Sequence, residues 1–110
     1  MRFGEIYESS LDVVKAAANL AQQYGVKVSL SAEGPNEIQL VWLERSSGPK
    51  GSGGQFLAEL IRLCDRHHVS IMLTVNQGHP KLMAFYQRFG FEVLNLGDDE
   101  GDPTMERRPR

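Results

Sequence analysis

The sequence is poor in the residues that staple or export a chain. One of its 110 residues is cysteine, so no intramolecular disulfide can form, and the lone thiol fits a reducing compartment, with the cytoplasm as default. No run approaches the roughly 18 apolar residues of a membrane span. The opening residues MRFGEIYESS lack the apolar stretch of a signal peptide. An excess of charge is missing too. The 12 Lys and Arg against 14 Asp and Glu leave a formal net charge of -2, which offers no general attraction to nucleic acid or to an anionic membrane. What is present is 41% apolar residues, the composition of a folded chain. Residues 1–110 are expected to form a single domain that buries roughly two thirds of its unfolded surface.

Periodicity gives the elements. After Ser9 or Ser10, either one a suitable N-cap, Leu11, Val14, Ala17, Ala18, Ala21 and Tyr24 recur at helical spacing and Gly25 supplies a stop. Residues 1–7 read as a strand or as a tail. VKVSLS alternates, the turn residues Glu33 to Asn36 follow, and EIQLVWLE alternates again, which predicts a hairpin. In its second strand Ile38, Leu40 and Trp42 form one apolar face. Val41 and Leu43 make the other face apolar as well, so this strand is expected to be covered on both sides.

Residues 45–54, RSSGPKGSGG, form a loop with four glycines that opens into a helix striped by Phe56, Leu57, Leu60, Ile61 and Cys64. VSIMLTV then returns the chain as a parallel strand, closing a right-handed βαβ unit. A second helix starts at Pro80 and stops at Gly90. FEVLNL makes another strand, GDDEGD an acidic loop and TMER a short last strand before the basic RRPR.

Glycines between a strand and a helix let the backbone approach a ligand, and the helix start offers unpaired amides to an anion, here around residues 50–55. Neither common nucleotide motif is present: no GxxxxGK[ST] string occurs, and position 56, where GxGxxG would end, is Phe. The run Gly48-Pro49-Lys50-Gly51-Ser52-Gly53 resembles motif A of the GNAT acyltransferase superfamily, Q/R-x-x-G-x-G/A. The later Phe85-Tyr86-Gln87-Arg88-Phe89-Gly90-Phe91 resembles its L-Y-x-x-x-G-F signature. The resemblance covers residues 37–96. It implies a mixed, mostly antiparallel α/β sheet with a central βαβ unit and helices on both faces, and transfer of acetyl from acetyl-CoA to an amine, on a small molecule or a protein.

Carried over by position, the backbone of Lys50, Gly51, Ser52, Gly53 and Gly54 would wrap the coenzyme pyrophosphate. The strand end Leu43, Glu44 and Arg45 would pair with its pantetheine arm. The Leu43 amide would polarise the acetyl carbonyl, and Tyr86 would protonate the leaving thiolate. A free amine with pKa about 10.4 must lose a proton before it attacks. Glu37 is the first candidate for that base and Glu44 the second. His79 and Leu82 stand at the Asn and Ala positions of the second motif, Gly48 replaces the usual Gln or Arg, and Pro49 removes an amide donor. Family members usually carry another helix and strand before the hairpin. A homodimer, through an exposed sheet edge or the first helix, would complete the acceptor site. The competing reading is a non-catalytic interaction module on the same fold.

His67, His68 and His79 lack the spacing of a metal site, since adjacent helical residues point about 100° apart. Cys64 falls on an apolar helical stripe and is assigned to the core. Trp42, Phe85, Tyr86, Phe89 and Phe91 are assigned to core faces rather than to base stacking.

Overall fold

The computed structural model describes residues 8–75, 80–95 and 102–110. Its elements are α1 (Glu8–Tyr24), β1 (Val26–Gly34), β2 (Glu37–Arg45), α2 (Ser52–His67), β3 (Ser70–Thr74), α3 (Pro80–Arg88), β4 (Glu92–Asn95) and β5 (Thr104–Arg107). The strand or tail at residues 1–7 and most of the acidic loop lie outside the described residues. The five strands form one sheet in the order β1-β2-β3-β5-β4. Only β2 and β3 run parallel, and the other neighbours are antiparallel. The mixed sheet with a central β2-α2-β3 crossover is as expected from the alternating runs. No described helix is long and apolar enough to cross a membrane.

The core follows from register. Ile38 stands beside Ile71 and Leu40 beside Leu73, and Leu73 in turn faces Met105, so the five side chains share one face. All are buried, as is the α2 stripe Phe56, Leu57, Leu60, Ile61 and Cys64 that lies against them. Deleting a ring such as that of Phe56 from this packing costs about 3–5 kcal/mol. Burial also pushes the Cys64 thiol up to about 12, with the Asp65 charge adding to the effect. That thiol is therefore protonated at neutral pH and serves as a small hydrophobe.

Three expectations need correction. Helix α1 begins at Glu8, so neither Ser9 nor Ser10 caps it. Ser10 is fully buried and ties the helix to the hairpin instead: its Oγ donates to the Gly34 carbonyl (2.6 Å) and accepts from the Glu37 amide (3.0 Å). Second, the buried face of α1 is Val13, Ala17 and Ala21, while Leu11 is 43% exposed and Ala18 is also outside. Ser10 lies on the same side of α1 as this buried stripe. Third, Val41 and Trp42 are 60% and 47% exposed, so the second apolar face of β2 is uncovered and Trp42 is not a core residue. Coverage of the sheet is unequal. Glu37, Gln39 and Met72, on the face opposite the Ile38–Ile71 core, are only half-buried.

The far end of α2 is held by charge. Arg107 is nearly buried and meets Asp65 in a two-pronged ion pair, with N–O distances of 2.7 and 3.2 Å. Its Nε donates to the Phe89 carbonyl at 2.9 Å, and the Arg110 amide donates to the same Asp65 carboxylate at 3.1 Å. A buried guanidinium stripped of such partners would be costly. The Arg107 hydrogen bonds hold the Asp65 carboxyl below its ordinary range. A carboxylate depressed in the folded state stabilises fully above the unfolded pKa, about 3.9, and loses that contribution as pH falls through its folded value. Asp65→Asn should therefore lower the melting temperature at pH 7 and flatten the loss of stability below about pH 4. Thermal melts across pH test this, and an unchanged acid limb in the variant would remove Asp65 from the role.

Candidate functional site

The parallel ladder between β2 and β3 is short. It runs from Glu37 beside Ser70 to Leu40 beside Leu73, after which, among the described residues, β2 continues to Arg45 paired only with β1. Strand β3 itself ends at Thr74, and just past the ladder β2 carries a β-bulge. Ser29 faces Trp42 and Leu30 faces Leu40, so Val41 has no partner in β1. An extra residue on one strand bends it and breaks the local pairing. Past the end of the ladder lies a slot of about 200 Å³, lined by Leu40 to Leu43, Leu73, Thr74, Leu82 and Tyr86.

Tyr86 reaches the slot because α3 is fixed by aromatic contacts. Its ring meets Phe85 and Phe91 edge-on, with centroids 5.2 and 5.4 Å apart. Phe85 and Phe89 in turn lie over Gly54, close enough that a Cβ there would touch both rings at 3.8 Å. Helix α3 is thereby seated on the first turn of α2. Burial of Tyr86 pushes its phenol upward, so the hydroxyl keeps its proton at neutral pH.

The glycine loop leads from β2 to α2 by a tight path. The Ser46 and Gly48 amides both donate to the Gly25 carbonyl, at 2.8 and 3.0 Å. Gly25 has φ +67°, and a Cβ on it would collide with the Gly48 backbone. A Cβ on Gly48 would strike the Tyr24 carbonyl and lie 2.7 Å from Ser52 Oγ. No side chain fits at position 48, which explains the glycine there. Gly51 precedes the helix with φ 92°, a left-handed conformation suited to glycine, and no side chain caps α2. The Ser52 amide donates to the Pro49 carbonyl at 3.0 Å. The next amides, of Gly53 and Gly54, precede the first intrahelical bond and carry the partial positive charge of the helix start. Ser52 Oγ is the one buried side-chain polar atom among the described residues without a hydrogen-bond partner, and Ser52 is 1% exposed.

The expected site residues divide into groups. Leu43 and Tyr86 share the slot, and Lys50, Gly51, Ser52, Gly53 and Gly54 form the loop and first turn of α2. Glu37 is in a neighbouring groove of about 390 Å³ with Glu33, Gln39, Met72, Thr74 and Thr104. Leu73 and Thr74 line both spaces and so form their common wall. Glu44 is exposed, faces Lys27 across the hairpin and lines neither space. Arg45 is placed by its backbone opposite Val26. His79 lies outside the described residues. Sequence reasoning missed Thr74 and the bulge. The signal for the bulge was there, since Val41-Trp42-Leu43 breaks the alternation that Ile38 and Leu40 begin.

Solved structures match this arrangement closely enough to compare folds. Ard1 from Thermoplasma volcanium superposes with a TM-score of 0.63, at 16% identity, over 84% of this chain and 77% of its own. The PaiA N-acetyltransferase of Thermoplasma acidophilum, solved with coenzyme A, gives 0.59 at 18% identity over 86% and 69%. A GNAT superfamily phosphinothricin acetyltransferase from Sinorhizobium meliloti, in complex with AcCoA, gives 0.57 at 20% identity over 76% and 54%. The chain has the GNAT fold. No protein-family model and no curated protein matches it. The chain spans about half of the Sinorhizobium enzyme and about three quarters of Ard1. In this GNAT fold α1 passes directly into β1, which is the first strand of the sheet among the described residues.

The packing at position 48 makes a prediction against the motif. Gly48→Gln, which writes the common motif A residue back into the loop, should destabilise the protein by about 2 kcal/mol or more through overpacking against backbone. A denaturant midpoint at or above that of the wild type would show that the loop has room the structure denies it.

Proposed function

We propose that the chain transfers an acetyl group from acetyl-CoA to an amine by direct attack. The observation that carries this reading is the slot beyond the end of the β2–β3 ladder, which Leu43 of β2 and Tyr86 of α3 line together. The solved relatives with coenzyme A or AcCoA support the same donor. The residues present fit such a ligand. Leucines and Tyr86 line the slot, while polar groups make up the larger part of its exposed surface, so a thioester arm would find both packing and hydrogen-bonding partners there. Ser52 Oγ is a buried group in want of a partner, and the Gly53 and Gly54 amides suit phosphate oxygens at a helix start. Lys50 is exposed on the same loop and Glu44 and Arg45 continue the strand edge, so we assign them, with His79, to coenzyme contacts.

Bound acetyl-CoA would supply an activated acetyl carbonyl. The Leu43 amide donates to the oxygen on which negative charge develops as the amine attacks, and such a donor contributes about 3–4 kcal/mol where it is preorganised. Tyr86, kept protonated by burial, gives its proton to the sulfur as the C–S bond breaks. Glu37 accepts the amine proton through water, since Leu73 and Thr74 stand between its groove and the slot. It is preferred to Glu44 because it alone lies in a groove that adjoins the slot. The acceptor amine, of a small molecule or a protein, approaches through that groove. We further take residues 1–110 as one domain working in the cytoplasm, where a lone buried thiol is stable.

Two measurements test the reading. Acetyl-CoA at about 100 times its dissociation constant should stabilise the protein by roughly 2.7 kcal/mol, seen as a rise of several degrees in melting temperature. No rise at millimolar ligand would favour a non-catalytic module. Tyr86→Phe should lower kcat by about 10- to 100-fold while coenzyme binding stays unchanged. Unchanged turnover would take the acid out of the mechanism.

A further inference from the structure

The turn end of the hairpin carries a bulge of its own, and this one places a charge. Ala32 faces Ile38 and Gly34 faces Glu37, which leaves Glu33 as the extra residue of β1. Ala32 shares the core side of Ile38, and Glu33 turns away from it to line the groove of about 390 Å³ together with Glu37. Bulges re-aim side chains in this way and are frequent beside active sites. Like charges brought together across a strand pair are destabilising. Here nothing offsets them: among the described residues neither carboxylate has an ion pair, and no other residue lining the groove is basic.

We propose that the acceptor is a small aliphatic diamine, one nitrogen of which reacts in the slot while the other, as an ammonium, is held by Glu33 in the groove. The proposal rests on the acetyl-transfer reading and names the substrate class of its site. Two carboxylates without a counter-charge call for a cation. An organic one is favoured over a metal ion, because no third His, Cys, Asp or Glu joins them among the described residues. The volume suits a small molecule, since such sites span about 300–1,000 Å³. Gln39, Thr74 and Thr104 offer oxygens to the ammonium hydrogens, and Met72 and Leu73 offer apolar surface to the methylenes. The groove also rejects: a carboxylate on the acceptor meets Glu33 and Glu37 with like charge, which disfavours amino acids.

A chain with nitrogen at both ends matches the layout of the two spaces. Thr74, the last residue of β3, is exposed and lines groove and slot alike, so an acceptor lying over it has one end in each. The free-amine end bonds the acetyl carbon as the C–S bond breaks, which gives the N-acetyl diamine and the coenzyme thiol. The proton lost by nitrogen passes through water to Glu37, and the sulfur takes one from Tyr86. Glu33 meets only the far ammonium. It therefore determines which amine is chosen and takes no part in making the bond.

The test compares acceptors of one length, 1,4-diaminobutane, butylamine and 4-aminobutanoate, with acetyl-CoA at low ionic strength. The diamine should exceed butylamine in kcat/KM by about tenfold, with 4-aminobutanoate the poorest. Glu33→Gln should shrink the ratio of diamine to butylamine to about twofold or less, and Glu33→Asp should keep most of it. Position 33 is exposed, so circular dichroism should report an intact fold in both variants. Binding is read separately, by titrating 1,4-diaminobutane and following the amide resonances of Glu33, Glu37 and Thr104 by NMR. Resonances that do not move overturn the proposal, as does butylamine acetylated as well as the diamine, which leaves acetyl transfer itself standing. A ratio indifferent to Glu33→Gln overturns it too. Diamine binding with no acetylation of any of the amines keeps the ammonium site and removes the transfer reading instead.

Discussion

The site is built on two glycines that touch. Gly25 ends α1 in a left-handed conformation, and its carbonyl accepts the amides of both Ser46 and Gly48 as the chain leaves β2. Neither position can carry a side chain, because each would strike the other's backbone or the Tyr24 carbonyl. This contact forces the β2–α2 connection to double back against the start of β1. The first turn of α2 is placed by that path, and α3 is placed on that turn through Phe85 and Phe89. Tyr86 inherits its position from the same chain of contacts.

The second constraint is local to β2. One residue too many against β1 bends the strand at Val41, and the parallel ladder with β3 ends at the preceding residue. A sheet that stays paired on one side and opens on the other gives a slot with rigid walls and a free strand edge. The cost is exposure of Val41 and Trp42, which a regular strand would have turned against neighbours.

Much of the framework was legible because it depends on period and punctuation. The alternation of Val69, Ile71, Leu73 and Val75, the α2 stripe and the stop at Gly90 all carry direct physical meaning, and all stand where expected. What could not be read depends on contacts between distant residues. Ser10 is a residue type suited to a cap, yet its hydroxyl bridges to Gly34 and Glu37 from the buried stripe that it shares with Val13, Ala17 and Ala21, and Leu11 is left outside. Gly48 departs from the motif because the Tyr24 carbonyl lies where its side chain would stand. Leu43 and Tyr86 were named from the motifs, and the slot brings them together. Glu37 was named from its offset, and it lies one wall away.

The order of strands bears on how the protein is made. β5 lies between β3 and β4 although it follows both in sequence, and it brings Met105 into the core and Arg107 to Asp65. During synthesis, which proceeds at about 5–20 residues per second, the centre of the sheet has a gap until residues 104–107 have left the ribosome. Before then β3 shows an unpaired edge and α2 carries Asp65 without its arginine. Until the four residues of β5 are in place, β4 has no strand beside it, and their arrival joins it to the rest of the sheet.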